Sequence, residues 1–159
     1  MKSFKSGLAA ALILASPIVA LPLLSTSAFA APAPIYTKDG NVALSGYDAV
    51  SFFAGGDPVK GLPSLTTTYK GATFQFANAA NLAKFKAKPE AYAPQYGGYC
   101  AWAAAQGRTA PGSPQSAKVV NGKLYLNFND SIQQKWVANQ SEFIKQADEK
   151  WPAVIGTKG

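Results

Sequence analysis

The chain has 159 residues, with 15 basic and 8 acidic side chains, a net charge of +7, one cysteine and no histidine. Without histidine, a Ser-His-Asp or Cys-His catalytic arrangement and a Cys/His zinc site are excluded within one chain. One cysteine cannot form an internal disulfide, so Cys100 is an intermolecular partner, a reactive group, a ligand or a small buried hydrophobe.

Residues 1–30 read as a Sec-type signal peptide. Lys2 and Lys5 form a positive start, Leu8 to Leu24 is apolar apart from Ser16, and Ala28-Phe29-Ala30 gives a small-x-small cleavage site. The apolar run is short for a membrane span and Pro22 interrupts it. Release to a bacterial periplasm or the outside is expected, with no stable membrane anchor after cleavage. Removing Lys2 and Lys5 leaves a charge of about +5 on the mature chain. Its only basic cluster is Lys84, Lys86 and Lys88, and its one arginine is Arg108. Both fit a solvated surface better than a nucleic-acid interface, and no nucleic-acid partner is expected.

Residues 31–40 read as an extended leader, and 41–155 as one domain with no internal repeat. Gly46 to Phe53 reads as a short helix with Ser45 as N-cap and Gly55-Gly56 as its stop. Thr66–Tyr69 and Ala72–Phe76 are β-rich and joined at Lys70-Gly71, which predicts a hairpin with Phe74 and Phe76 on one face. Asn78 should cap a helix to about Lys86, with Leu82 and Phe85 on its buried side. Lys88-Pro89 breaks it, and Pro89 opens another turn through Tyr92. Pro94 to Gly98 reads as a loop, and Tyr99 to Gln106 as a helix stopped by Gly107.

Arg108 to Ser116 is an irregular loop rich in Gly, Pro and Ser. Asn121-Gly122 between apolar strands predicts a type I′ hairpin. Asp130 with Gln133 suggests a capping box, with a helix past Trp136. A further helix runs from Ser141 to about Lys150, ended by Pro152. The expected fold class is α+β: a small single domain of β-hairpins packed with several short helices.

These residues carry a resemblance. Tyr69-x-Gly71-x-x-Phe74-x-Phe76, Asn81-Leu82-x-x-Phe85 and Lys88-Pro89-Glu90-x-Tyr92 are similar to the YHS domain. Gly46-Tyr47-Asp48-Ala49-Val50-Ser51-Phe52-Phe53, Pro94-Gln95-Tyr96-Gly97-Gly98-Tyr99-Cys100-Ala101 and Gly122-Lys123-Leu124-Tyr125-Leu126-Asn127 resemble the exported bacterial YHS-domain proteins, over residues 41 to 152. Other YHS domains suggest soft-metal handling through cysteines in a Phe-Cys-Ser-x-x-Cys segment after the second strand. Here Ala77 and Asn81 hold those two places, and the family's naming histidine is missing.

Cys100 is the candidate reactive or ligand thiol. A helix from Tyr99 would put it in the first turn, where free N–H groups favour a thiolate. Gly97 and Gly98 would let a partner approach, Tyr96, Tyr99 and Trp102 would wall a pocket, and Asp48 would be a polar anchor nearby. No catalytic residue is assigned. The resemblance implies a small exported YHS-like binding module for a soft metal ion such as copper, or for a metal-bearing protein partner, with Cys100 as the metal ligand. Two alternatives stand beside it: a thiol-redox protein with Cys100 as nucleophile, and a structural or interaction protein with Cys100 buried.

Overall fold

The computed structural model describes residues 30–156; the expected signal peptide lies outside the described residues, apart from Ala30. The fold is α+β, as expected. Two antiparallel hairpins, β1 (Leu62–Tyr69) with β2 (Ala72–Phe76) and β3 (Ser113–Val120) with β4 (Lys123–Asn127), form two separate sheets. Five helices pack on them: α1 (Ala79–Ala87), α2 (Pro89–Tyr92), α3 (Ala101–Ala105), α4 (Asp130–Ala138) and α5 (Gln140–Val154).

Both hairpins turn through two residues of positive φ, Lys70-Gly71 and Asn121-Gly122. Such turns match the right-handed twist of the flanking strands. Asn78 caps α1 by accepting the Asn81 N–H at 2.9 Å. Asn129 caps α4 by accepting the Ile132 N–H at 2.9 Å. The capping box expected at Asp130 is therefore shifted by one residue. Asp130 instead accepts the Ser116 hydroxyl at 2.6 Å, and Gln133 donates to the Ala117 carbonyl at 3.1 Å. Both side chains tie α4 to β3.

The helix expected at 46–53 is two 3₁₀ turns, Leu44–Gly46 and Ser51–Ala54. Ser45 does not cap; it sits at φ +49 within the first turn. The last helix does not stop at Pro152. The Ile155 N–H still reaches the Trp151 carbonyl at 3.1 Å, because a proline in the last turn displaces few helical bonds.

Contrary to the sequence reading, the domain is built from two copies of one unit. In each, a turn with positive φ leads to Gly-Tyr-x-Ala, Gly46–Ala49 in the first and Gly98–Ala101 in the second. A strand of eight residues, a two-residue turn, a strand of five and an Asn-capped helix of nine follow in both. Each hairpin carries a register shift at the same place, between Leu62 and Thr66 and between Ser113 and Ala117. The backbone bonds repeat too: Asp48 N–H to Val59 O at 2.8 Å, and Cys100 N–H to Ala110 O at 2.9 Å.

Each unit packs its helix on its hairpin through one central aromatic. Phe85 lies 4.7 Å from Phe74 and 5.1 Å from Phe76 between ring centroids. Trp136 lies 5.3 Å from Tyr125. Phe85 and Trp136 are both essentially inaccessible, as are Phe74 and Phe76. Burying an aromatic ring of this kind removes 150–250 Å² from water, on the order of several kcal/mol per ring. Leu124 and Leu126 of β4 join the first unit's cluster, so the two copies share a core.

Candidate functional site

Equivalent positions in the two units bear Asp48 and Cys100, and their surroundings differ. Asp48 is fully buried and fully used. Its Oδ1 accepts the Val50 N–H at 2.8 Å. Its Oδ2 accepts the Ala77 N–H at 2.9 Å and the Asn81 amide at 2.7 Å. A buried carboxylate is tolerated when N–H donors replace its water in this way. The Ala77 N–H and the Asn81 amide both donate to this one carboxylate, which closes the space between them. Asp48 is thus an anchor of the first unit, where it ties the Gly-Tyr-Asp turn to the end of β2 and to α1.

Cys100 directly precedes α3, which begins at Ala101 and is only five residues long. The thiol is not in the first helical turn, and its side chain is 1% exposed. Its Sγ lies 3.8 Å from Asn127 Oδ1, which also accepts the Trp102 N–H at 3.3 Å. Asn127 is itself fully buried, and its Nδ2 has no partner among the described residues. In the sequence Asn127 carries no signal beyond ending the run Gly122-Lys123-Leu124-Tyr125-Leu126-Asn127. Its signal as a site residue, a polar side chain at the end of an apolar strand, becomes legible once β4 is seen to end against Cys100.

Beside the thiol is an open cleft of about 230 Å³, lined by Cys100, Trp102, Arg108, Ala110, Phe128 and Ile132 among others. Phe128 is half exposed at 51%, an uncommon exposure for a large aromatic. The Arg108 guanidinium stands 5.6 Å from the centre of the Trp102 ring. Among the described residues it has no carboxylate partner. The cleft is a mainly apolar depression with one thiol at its floor and one free cation at its rim.

The expected pocket is divided by the fold. Only Trp102 joins Cys100 in the cleft. Tyr96 faces the other way: its hydroxyl donates to Asp148 at 2.8 Å, and its ring meets Trp151 at 5.6 Å. Burial and the Asp148 carboxylate push its phenol well above the usual tyrosine range. Tyr99 packs on Tyr36 and Trp151, and burial raises its phenol as well.

Gly97 and Gly98 do not admit a partner to the sulfur. Gly97, at φ +60, is approached by the chain's own Pro34 carbonyl, which a Cβ there would strike. The Tyr36 N–H donates to the Gly97 carbonyl at 2.8 Å, and the Tyr99 hydroxyl to the Ala33 carbonyl at 3.1 Å. Gly97 is the seat of the segment expected to be an extended leader. Gly97 and Tyr96 line a different depression of about 370 Å³, with Pro34, Lys70, Lys123 and Trp151.

No group of three or more His, Cys, Asp or Glu side chains able to hold a metal occurs among the described residues. Cys100 and the Asn127 amide oxygen are the donors nearest each other at the thiol. A soft ion there would find one sulfur and would take its other ligands from a second molecule. No helix among the described residues is long and apolar enough to cross a membrane. No family model, no curated protein and no solved structure matches the chain.

Proposed function

We propose that this chain is an exported YHS-like binding module, and that its recognition site is the cleft beside Cys100. One observation carries the reading: the only thiol, the only arginine and a half-exposed phenylalanine converge on a single depression. Apolar walls with a few convergent polar groups are the usual make-up of a ligand pocket. The site takes an apolar or soft group. The YHS resemblance makes a copper ion presented by a protein partner the case to test, with Cys100 as one ligand and the partner supplying the rest. The chain has no second thiol to resolve a mixed disulfide, which weighs against the thiol-redox alternative.

Titrating a copper(I)–thiol complex into the mature protein, read by native mass spectrometry, tests this. The wild type should take up one copper per chain, and Cys100→Ala should take up none. Equal uptake by both, or uptake by neither, would remove the metal part of the reading.

A second reading is favoured by the burial of Cys100: the thiol is packing alone. It forecasts that a small alkylating reagent labels Cys100 only on unfolding. The binding reading forecasts labelling of the folded protein through the cleft.

A further inference from the structure

Superposing the roles of the two units places a cysteine where the other unit has a carboxylate. In the first unit, Asp48 collects the N–H of the residue two positions on, Val50, and the N–H of the residue that follows the second strand, Ala77. The same two donors in the second unit are Trp102 and Phe128. The Trp102 N–H is taken by Asn127 Oδ1. The Phe128 N–H has no acceptor among the described residues. Beside it, Asn127 Nδ2 is a second donor without a partner, on a fully buried amide whose oxygen faces the Cys100 sulfur. A buried donor left unpaired costs free energy that an acceptor would recover. Of the three donors that hold Asp48, the second unit thus leaves one open, the Phe128 N–H, and adds another, Asn127 Nδ2, with no anion to take them.

The geometry points to Cys100 as a site of oxidation to the sulfinate, whose two oxygens stand on sulfur as the Asp48 oxygens stand on carbon. One sulfinate oxygen would accept from Phe128 N–H, as Asp48 accepts from Ala77, and the other from Asn127 Nδ2. The oxidant is a peroxide, small enough to enter the cleft that Cys100 lines. The thiolate attacks one peroxide oxygen, an S–O bond forms, the O–O bond breaks and water leaves. The sulfenic acid repeats the step on a second peroxide, again releasing water, and the product gives its proton to solvent. Sulfur loses four electrons, and each peroxide takes up two.

Two features select this end point on the oxidation ladder. The chain has no second cysteine to trap the sulfenic acid within one molecule. The Phe128 N–H and Asn127 Nδ2 then hold the sulfinate, the first as its counterpart Ala77 holds Asp48. The chemistry is that of the unliganded cleft, since a ligand seated there would keep peroxide from the sulfur.

Graded hydrogen peroxide on the mature protein, read by peptide mass spectrometry, tests the assignment. The peptide holding Cys100 should gain two oxygens, about 32 Da, and stop there in the folded protein. In the protein unfolded by urea it should run on to three oxygens or to a disulfide-linked dimer. A folded thiol that stays unoxidised, passes to three oxygens as fast as the unfolded one, or forms the dimer would overturn it. A second measurement needs no oxidant. Cys100→Asp places the carboxylate directly, and should melt at or above Cys100→Ala at neutral pH. The gain should vanish when Asn127→Leu is added. Melting of Cys100→Asp below Cys100→Ala would equally overturn the assignment.

Discussion

Asp48→Ala is the sharpest perturbation of the first unit. The side chain is fully buried and accepts three N–H bonds, at 2.8, 2.9 and 2.7 Å. Bonds to a charged group contribute about 1.5–3 kcal/mol each, and an orphaned buried donor costs about 1–3 kcal/mol. The three losses are unequal. Asn81 is only half buried, so its amide can turn towards water. The Val50 N–H lies in a buried turn and has no such escape. Two orphaned donors and a small void give an expected loss of about 3–5 kcal/mol. Asp48→Asn keeps one acceptor oxygen and sets its NH₂ against one N–H, so its loss should be smaller, about 1.5–3 kcal/mol. Urea unfolding followed by tryptophan fluorescence measures both, with the slope checked for an unchanged unfolding reaction. A loss below about 1 kcal/mol for Asp48→Ala would refute the view that this carboxylate locks the turn, β2 and α1 together.

Phe85→Ala should cost about 3–5 kcal/mol, since the ring is fully enclosed by Phe74, Phe76 and Tyr69, and Trp136→Ala should cost a similar amount at the same place in the second unit; chemical denaturation compares them. Stability should fall at alkaline pH. Tyr96, Tyr99 and Tyr125 have phenols raised by burial, so above about pH 10 the unfolded chain releases protons that the folded chain retains. Tyr96, raised most by burial and the Asp148 carboxylate, should dominate this fall, and Tyr96→Phe should visibly flatten the stability curve there. Gly97→Ala should release the segment around Pro34 and Tyr36, because the new Cβ meets the Pro34 carbonyl and φ is +60; faster amide exchange at Tyr36 would register it, and unchanged protection would contradict the seat described above.

Much of the fold was legible because local chemistry decided it. Asn-Gly and Lys-Gly between β-rich runs demand turns of positive φ, and Asn78 before a helical run is a cap in any context. Phe74, Phe76 and Phe85 were readable as core from spacing alone. What failed depended on partners distant in sequence. Ser45 looks like a cap, but its turn serves to bring Gly46 beside Gly61, where the Gly61 N–H donates to the Gly46 carbonyl at 2.8 Å. The α3 start could not be placed within a residue, and that residue decides whether the thiol sits in the helix or before it. Tyr96, Tyr99 and Trp102 are near Cys100 in sequence, yet two of the three side chains pack towards α5. The repeat is faint in the sequence because few identities survive: Gly-Tyr-x-Ala, an Asn cap, and a lysine before the central aromatic.

The duplication bears directly on the thiol. A lone buried cysteine ordinarily says little, since it packs as a small hydrophobe. Here the first unit acts as an internal control, because it shows what the same backbone does with a carboxylate at that position. Along the second unit the changes run together. Asp48 becomes Cys100, Phe76 becomes Asn127, and Ala77 and Asn81 become Phe128 and Ile132. The carboxylate is lost, an amide enters beside its place, and two apolar side chains open towards the cleft. An apolar replacement of Asp48 would have needed no amide at 127, because a buried polar side chain that satisfies only half its groups is costlier than a hydrocarbon. The half-satisfied Asn127 is therefore the residue whose presence the packing of Cys100 alone does not explain. Asn127→Leu separates the explanations. If the amide serves only to accept the Trp102 N–H, the variant should lose about 1 kcal/mol or more of stability with unchanged thiol chemistry. If it serves the sulfur, thermal stability of the reduced protein should change little while the oxygen count at Cys100 under peroxide no longer stops at two.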